Sequence, residues 1–332
     1  MGRHLAVVGA TGAVGQEFLR VLEQRNFPYD RITLLASKRS AGKTVTFKGR
    51  PHTIEELTEG SFAGVDIALF SAGGSISRRY APLAAGAGTV VVDNSSAFRM
   101  DPETPLVVPE VNPRDIASHK GIIANPNCST IIMVVPVWPL HRLCPIERLV
   151  VSTYQAASGA GYQAMVELEE QTHDVLAGRP VTPNVLPHRM AFNLFSHNSA
   201  IGENGYNEEE TKMVNETRKM FHDENILITA TCVRVPVLRA HSEAINIRFS
   251  RPVSEQQVRE ALAGAPGVRV VDDRAKNYFP MPIDSSDGDE ILVGRIRQDI
   301  SQPDGHGIEM FISGDQLRKG AALNAVQIAE LL

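Results

Sequence analysis

Along the first part of the chain, short apolar runs alternate with glycine-rich or polar turns and longer mixed stretches. Leu5 to Val8, Ile32 to Ala36, Ile67 to Phe70, Val90 to Val92 and Ile122 to Ala124 are apolar segments interrupted only at Thr33, the pattern of strands buried on both faces. Between the first two, Gln16 to Gln24 is amphipathic, so strand, turn and helix follow one another. This alternation predicts a Rossmann-type, doubly wound parallel sheet over residues 1–127. After Pro139 the character changes. Leu149 to Tyr154, Ile226 to Val235, Ala244 to Phe249, Val268 to Val271 and Ile308 to Ile312 read as strands, with helices at Gln163 to Leu176 and Asn207 to Met220. Strands dominate there, and a mixed sheet faced by helices is predicted across residues 128–313. The last run, Gln316 to Leu332, carries Leu317, Ala321, Leu323, Ala325, Val326 and Ile328 on a helical face. Such a helix covers a sheet face, and residues 314–332 are expected to return to the first domain.

The turns carry the first chemical signals. Gly9-Ala10-Thr11-Gly12-Ala13-Val14-Gly15 stands between the first strand and its helix, where glycines permit a tight turn and close backbone approach to a diphosphate. A plain turn is the alternative. The second strand ends in Ser37-Lys38-Arg39-Ser40, where an NAD-binding fold usually offers an acid to the adenosine ribose. With cations and hydroxyls in its place, NADP is expected rather than NAD, against the alternative of a solvated basic loop. Ser71 and Gly73 follow the third strand, and Asn94 and Arg99 the fourth, at what a doubly wound sheet makes its ligand edge.

Composition narrows the class. At 332 residues, 43% apolar and 21% charged, the chain has the make-up of a globular protein long enough for two domains. A net charge of -5 provides no field to draw nucleic acid or an anionic membrane. No apolar run approaches the ~18 residues of a membrane span, no secretory leader is read, and three cysteines without a CxxC pair suggest reduced thiols in the cytoplasm. None of the ten histidines falls in a metal-binding pattern, so no metal is expected.

Asn125-Pro126-Asn127-Cys128-Ser129-Thr130 joins the fifth apolar run to a second one, Ile131 to Val135. If a helix opens there, Cys128 sits at its N-terminus, where free N–H groups and the helix dipole favour a thiolate. A lone cysteine is otherwise an inert buried hydrophobe. Far downstream, Arg234 lies inside an apolar run and His241 after it, where a strand is expected to give way to a turn. A thiol and a distant histidine make a nucleophile and acid/base pair, although on spacing alone His241 reads more readily as a structural histidine.

Five motifs in order, GATGAVG, NPNCST, YQAASGAG, RVPVLRAHSE and LRKGAALNAVQIAE, make the chain resemble the bacterial aspartate-semialdehyde dehydrogenases over nearly its whole length. The resemblance implies an NADP-dependent, phosphate-requiring interconversion of L-aspartate 4-semialdehyde and L-4-aspartyl phosphate in a cytoplasmic homodimer built by the second domain, supplying lysine, threonine, methionine and diaminopimelate. It implies Cys128 as nucleophile, His241 as acid/base and Gln155 as the residue that orients the substrate. Arg234 and Glu209 fall on substrate positions; Arg99, Lys212 and Asn94 on phosphate positions. Gly9, Thr11, Gly12, Ala13, Val14, Gly15, Ser37, Arg39, Ser40, Ser71, Gly73, Ser158, Gly159, Gln316 and Asn324 fall on cofactor positions. One departure is Gln316, where the family usually shows Asn after Asp; the amide persists and a nicotinamide contact is expected. An inactive binding paralogue, a related acyl-phosphate reductase and a cysteine hydrolase are the rival readings.

Overall fold

The apolar runs of the first half pair as parallel strands whose residues are buried on both faces, as their lack of alternation requires. The computed structural model describes residues 3–332 and divides the chain into two units, Met1–Asn127 with Ala321–Leu332, and Cys128–Gly320. In chain order the first unit contains β1 (His4–Val8), α1 (Ala13–Gln24), β2 (Arg31–Ala36), β3 (Thr44–Phe47), β4 (Arg50–Thr53), β5 (Glu55–Glu56), β6 (Ile67–Phe70), α2 (Gly74–Gly86), β7 (Val90–Asp93) and β8 (Ile122–Ala124). Its main sheet runs β5-β2-β1-β6-β7-β8, all parallel, and β3 with β4 forms a separate hairpin. One sheet face packs Leu5, Val7, Leu69 and Val92 against Phe18, Leu22, Val326 and Ile328. The other packs Ala6, Val8 and Phe70 against Tyr80, Ala81 and Ala84 of α2. This is a Rossmann-type layer structure.

The second unit opens with α3 (Cys128–Leu143) and β9 (Ile146–Gln155), followed by α4 (Tyr162–Leu176), β10 (Phe195–Ser196), α5 (Glu208–Phe221), β11 (Leu227–Arg234), β12 (His241–Phe249), α6 (Glu255–Ala263), β13 (Val268–Val270), α7 (Pro282–Ser285), β14 (Ile291–Gln298) and β15 (Gly307–Gly314). Its seven-stranded sheet, β10-β11-β9-β12-β15-β14-β13, mixes parallel and antiparallel pairs, as the strand-rich pattern predicts. Residues 129–135 of α3 are buried without exception, which suits a helix apolar on all sides.

Two local expectations differ from the structure. The terminal helix does not begin at Gln316: a π-helix spans Arg318–Ala322 and α8 (Leu323–Glu330) follows. The Asp315 carboxylate accepts the Leu317 and Arg318 N–H groups at 2.9 and 3.1 Å, fixing the preceding turn. His241 is the first residue of β12 rather than a turn residue, because Ala240, at φ +70°, turns the chain just before it.

Candidate active site

Three strands and two helices of the second unit bring the predicted chemical groups together. Cys128 is the first residue of α3, half-buried, at the end of the helix that favours an anion. Its Sγ lies 3.8 Å from His241 Nε2. The His241 ring is fully buried, and Nδ1 accepts the Ala156 N–H at 3.0 Å. With Nδ1 filled, the neutral ring carries its proton on Nε2, facing the sulfur. Burial, reinforced by the Arg234 charge, pushes the His241 pKa down to about 3, so the ring stays neutral at physiological pH. A further constraint is Gly320, where a Cβ would lie 3.0 Å from that of Cys128.

Arg234 ends β11 and is 4% exposed. Its Nε donates to Asn198 Oδ1 at 3.4 Å, one terminal nitrogen to the Ala156 carbonyl at 3.3 Å and the other to His197 Nε2 at 2.8 Å. Five donors less three leaves one N–H on each terminal nitrogen, a pair suited to a carboxylate. Gly159 faces both groups: a Cβ there would meet His241 Nε2 at 3.0 Å and an Arg234 terminal nitrogen at 3.1 Å. The space in front of Gly159 is therefore flanked by the histidine and the guanidinium.

The first turn of α5 supplies the next groups. Asn207 and Glu210 form a capping box, each side chain bonded to the other's backbone N–H. Glu209 accepts from Gln155 Nε2 at 3.1 Å and pairs with Lys212 Nζ at 3.5 Å, while Gln155 Oε1 accepts from Thr153. Gln155, Glu209 and Lys212 thus form one chain of polar contacts. Ser158 and Gln316 are also in this unit, and the Gln316 amide is engaged at both ends, Oε1 accepting the Ala240 N–H at 2.9 Å and Nε2 donating to Ser158 Oγ. Nothing in the sequence pattern marks His197, Asn198, Gly320 or the Ala156 backbone as part of the site. A lone histidine beside a two-residue edge strand leaves no periodic trace.

In the first unit the glycine turn has the shape a diphosphate needs. Gly9 is at φ +87°, and a Cβ would strike the Ser71 carbonyl at 2.3 Å; one at Gly15 would strike the Gly9 carbonyl at 2.1 Å. Gly12 precedes α1 without any side-chain cap, so the first N–H groups of that helix have no side-chain acceptor at the cap. Thr11 is exposed, with Ala13 and Val14 half-buried beside it. Ser37 and Arg39 are exposed in the turn after β2, Ser40 is buried beneath them, and Gly73, exposed at φ +88°, precedes α2. These residues fit a dinucleotide. Arg99 is buried, Nε donating to the Asn125 carbonyl at 2.9 Å and a terminal nitrogen to the Asn94 carbonyl at 3.0 Å. Asn324 Nδ2 donates to the Val107 carbonyl at 2.9 Å and to Asn125 Oδ1 at 2.6 Å, and Asn125 donates to Asn94 Oδ1. This network holds the segment that leads into α3. Among the described residues, no group of His, Cys, Asp and Glu is arranged to hold a metal, and no helix is long and apolar enough to cross a membrane.

Comparison with known proteins agrees with the architecture. The profile of the semialdehyde dehydrogenase NAD binding domain matches residues 4–119, and that of the semialdehyde dehydrogenase dimerisation domain matches residues 137–319. The aspartate-semialdehyde dehydrogenase of Synechocystis sp. is 58% identical, covering 99% of this chain and 96% of its own. Among solved structures, aspartate semialdehyde dehydrogenase II of Vibrio cholerae, complexed with ASA, superposes with a TM-score of 0.96 at 46% identity, over 100% of this chain and 98% of that one. The Candida albicans aspartate semialdehyde dehydrogenase with NADP gives 0.78 at 26% identity, over 100% and 98%. The matched domains are those of an oxidoreductase of amino-acid biosynthesis that uses a nicotinamide dinucleotide, and the chain belongs to the aspartate-semialdehyde dehydrogenase family.

Proposed function

We propose that the protein interconverts L-4-aspartyl phosphate and L-aspartate 4-semialdehyde reversibly, with NADP and inorganic phosphate, through a covalent intermediate on Cys128. The observation that carries this reading is the Cys128 sulfur 3.8 Å from His241 Nε2, with that imidazole and the Arg234 guanidinium flanking the open face of Gly159. In the reductive direction, Cys128 Sγ attacks the acyl carbon, the carbon–oxygen bond to phosphate breaks, and phosphate leaves with the electron pair to give a thioester. The hydride that converts the thioester to a thiohemiacetal is supplied by bound NADPH. His241 Nε2–H donates to the oxygen on which charge develops, and backbone N–H groups at the start of α3 assist it. When the carbon–sulfur bond breaks, the sulfur leaves as thiolate and the aldehyde is released. In reverse, phosphate attacks the thioester.

Arg234 grips the substrate carboxylate, with Glu209 and Gln155 orienting the rest of the molecule; Arg99, Lys212 and Asn94 serve phosphate. Ser37, Arg39 and Ser40 suit the 2′-phosphate of NADP, since no acid stands in that turn. The turn from Gly9 to Gly15 takes the diphosphate, and Ser71, Gly73, Ser158, Gly159, Gln316 and Asn324 complete the cofactor set, Gln316 through the Ser158 hydroxyl that it holds. The enzyme works as a cytoplasmic homodimer joined through residues 128–313, upstream of lysine, threonine, methionine and diaminopimelate. The test is NADPH consumption on adding L-4-aspartyl phosphate, with one phosphate released per NADPH. No consumption by the wild type would refute the activity, and ordinary turnover by Cys128→Ser would refute the covalent route.

A further inference from the structure

We infer that His197 is the positioning residue that aims the Arg234 guanidinium at the substrate carboxylate, and that it does so by accepting a hydrogen bond at Nε2. The inference rests on the carboxylate-binding reading of Arg234. Of the three bonds that hold the guanidinium, those to Asn198 and Ala156 are 3.4 and 3.3 Å, whereas that to His197 is 2.8 Å. Only the last has the length of a well-made N–H···acceptor bond.

Arginine has no acceptor, so Nε2 must be the unprotonated nitrogen and the ring proton belongs on Nδ1. Nδ1 lies 3.0 Å from Ser199 Oγ, which takes that proton in a hydrogen bond; the Ser199 N–H, 3.2 Å from the same nitrogen, is the contact that yields. Ser199 Oγ also accepts the Glu209 N–H at 3.2 Å, in the first turn of α5. The His197 backbone is fixed as well, its N–H donating to the Cys232 carbonyl at 2.8 Å beside β11. A continuous path therefore runs from α5 through Ser199 and the imidazole to Arg234. Burial pushes the His197 pKa down to about 4, and the Arg234 and Lys212 charges act in the same sense against the opposing Glu209, so the acceptor persists at neutral pH.

Side-chain reach supplies the test. A glutamine amide oxygen extends about as far as Nε2, whereas an asparagine amide extends only as far as Nδ1. His197→Gln should keep the semialdehyde KM within about threefold of wild type. His197→Asn and His197→Leu should raise it about tenfold or more, with kcat within about twofold and the melting temperature unchanged. Equal KM values in all three variants and the wild type would overturn the inference, as would a loss confined to kcat or a failure of Gln to rescue. Arg234→Lys, measured alongside, separates the two levels. If it leaves the semialdehyde KM unchanged, the carboxylate reading itself fails; if it raises KM while His197→Leu does not, only the role of His197 fails.

Discussion

His241 and Glu243 stand two residues apart on the same face of β12, both fully buried, and burial shifts their titration in opposite directions. The histidine is held neutral with its pKa near 3, so below the ordinary value of 6.5 an unfolded chain takes a proton that the native one refuses. That part of the stability is present above pH ~6.5 and lost as pH falls toward the folded value. Glu243, whose carboxyl oxygens find no hydrogen-bond partner, has its pKa raised well above 4.5. Its neutral form suits the fold, so this contribution is complete at low pH and declines as pH rises. Glu243→Gln should gain stability over the wild type between pH 5 and 8, by up to about 1.4 kcal/mol per pH unit. Urea unfolding across that range measures it, and parallel curves for the two proteins would contradict the assignment. Gly159 carries a second prediction at this scale. Gly159→Ala puts a methyl within about 3 Å of His241 and Arg234 and should lower kcat/KM for the semialdehyde about tenfold or more. A variant with wild-type kinetics would show that substrate does not use that space.

Secondary-structure elements explain what was legible in the sequence and what was not. Continuous apolar runs and the glycine turn announced β1, α1, β2, β6, β7 and β8 because strands buried on both faces need no alternation. Cys128 at a helix start was readable because a strand and an apolar helix bracket it closely. By contrast, β14 leaves no such signal: Arg295 at φ +53° lies where its register with β15 shifts, so no clean alternation survives. The placement of His197 depends on a two-residue edge strand and on cross-strand contacts with distant residues, which pattern alone does not encode. Helix α5 offers a test of how an element serves the site. Asn207→Ala removes the capping box and should cost about 1 kcal/mol of stability. It should also raise the phosphate KM several-fold by loosening the turn that carries Glu209 and Lys212. Calorimetry with phosphate-dependent kinetics checks both, and a stability loss with unchanged phosphate KM would detach Lys212 from phosphate.

For the whole molecule, the two units divide the labour, a glycine turn shaped for a dinucleotide in one and the thiol, imidazole and guanidinium in the other. The second unit also exposes Tyr154, Leu227 and Leu238, apolar surface that a homodimer would cover. Light scattering at micromolar concentration should give twice the chain mass, and a monomer would contradict the dimer. The proposed NADP preference is likewise molecular in outcome though local in cause: losing the proposed Arg39 contact to a 2′-phosphate should cost about 1.5 to 3 kcal/mol, so kcat/KM should favour NADP over NAD in the wild type and not in Arg39→Ala. The most direct test of the covalent route withholds phosphate. Semialdehyde and NADP mixed rapidly with the enzyme should release one NADPH per Cys128 and then stall, and mass spectrometry of the quenched protein should find an aspartyl group on the peptide containing Cys128. Added phosphate should discharge that adduct and restart turnover; continuous NADPH formation without phosphate, or a burst with no adduct on Cys128, would contradict the account.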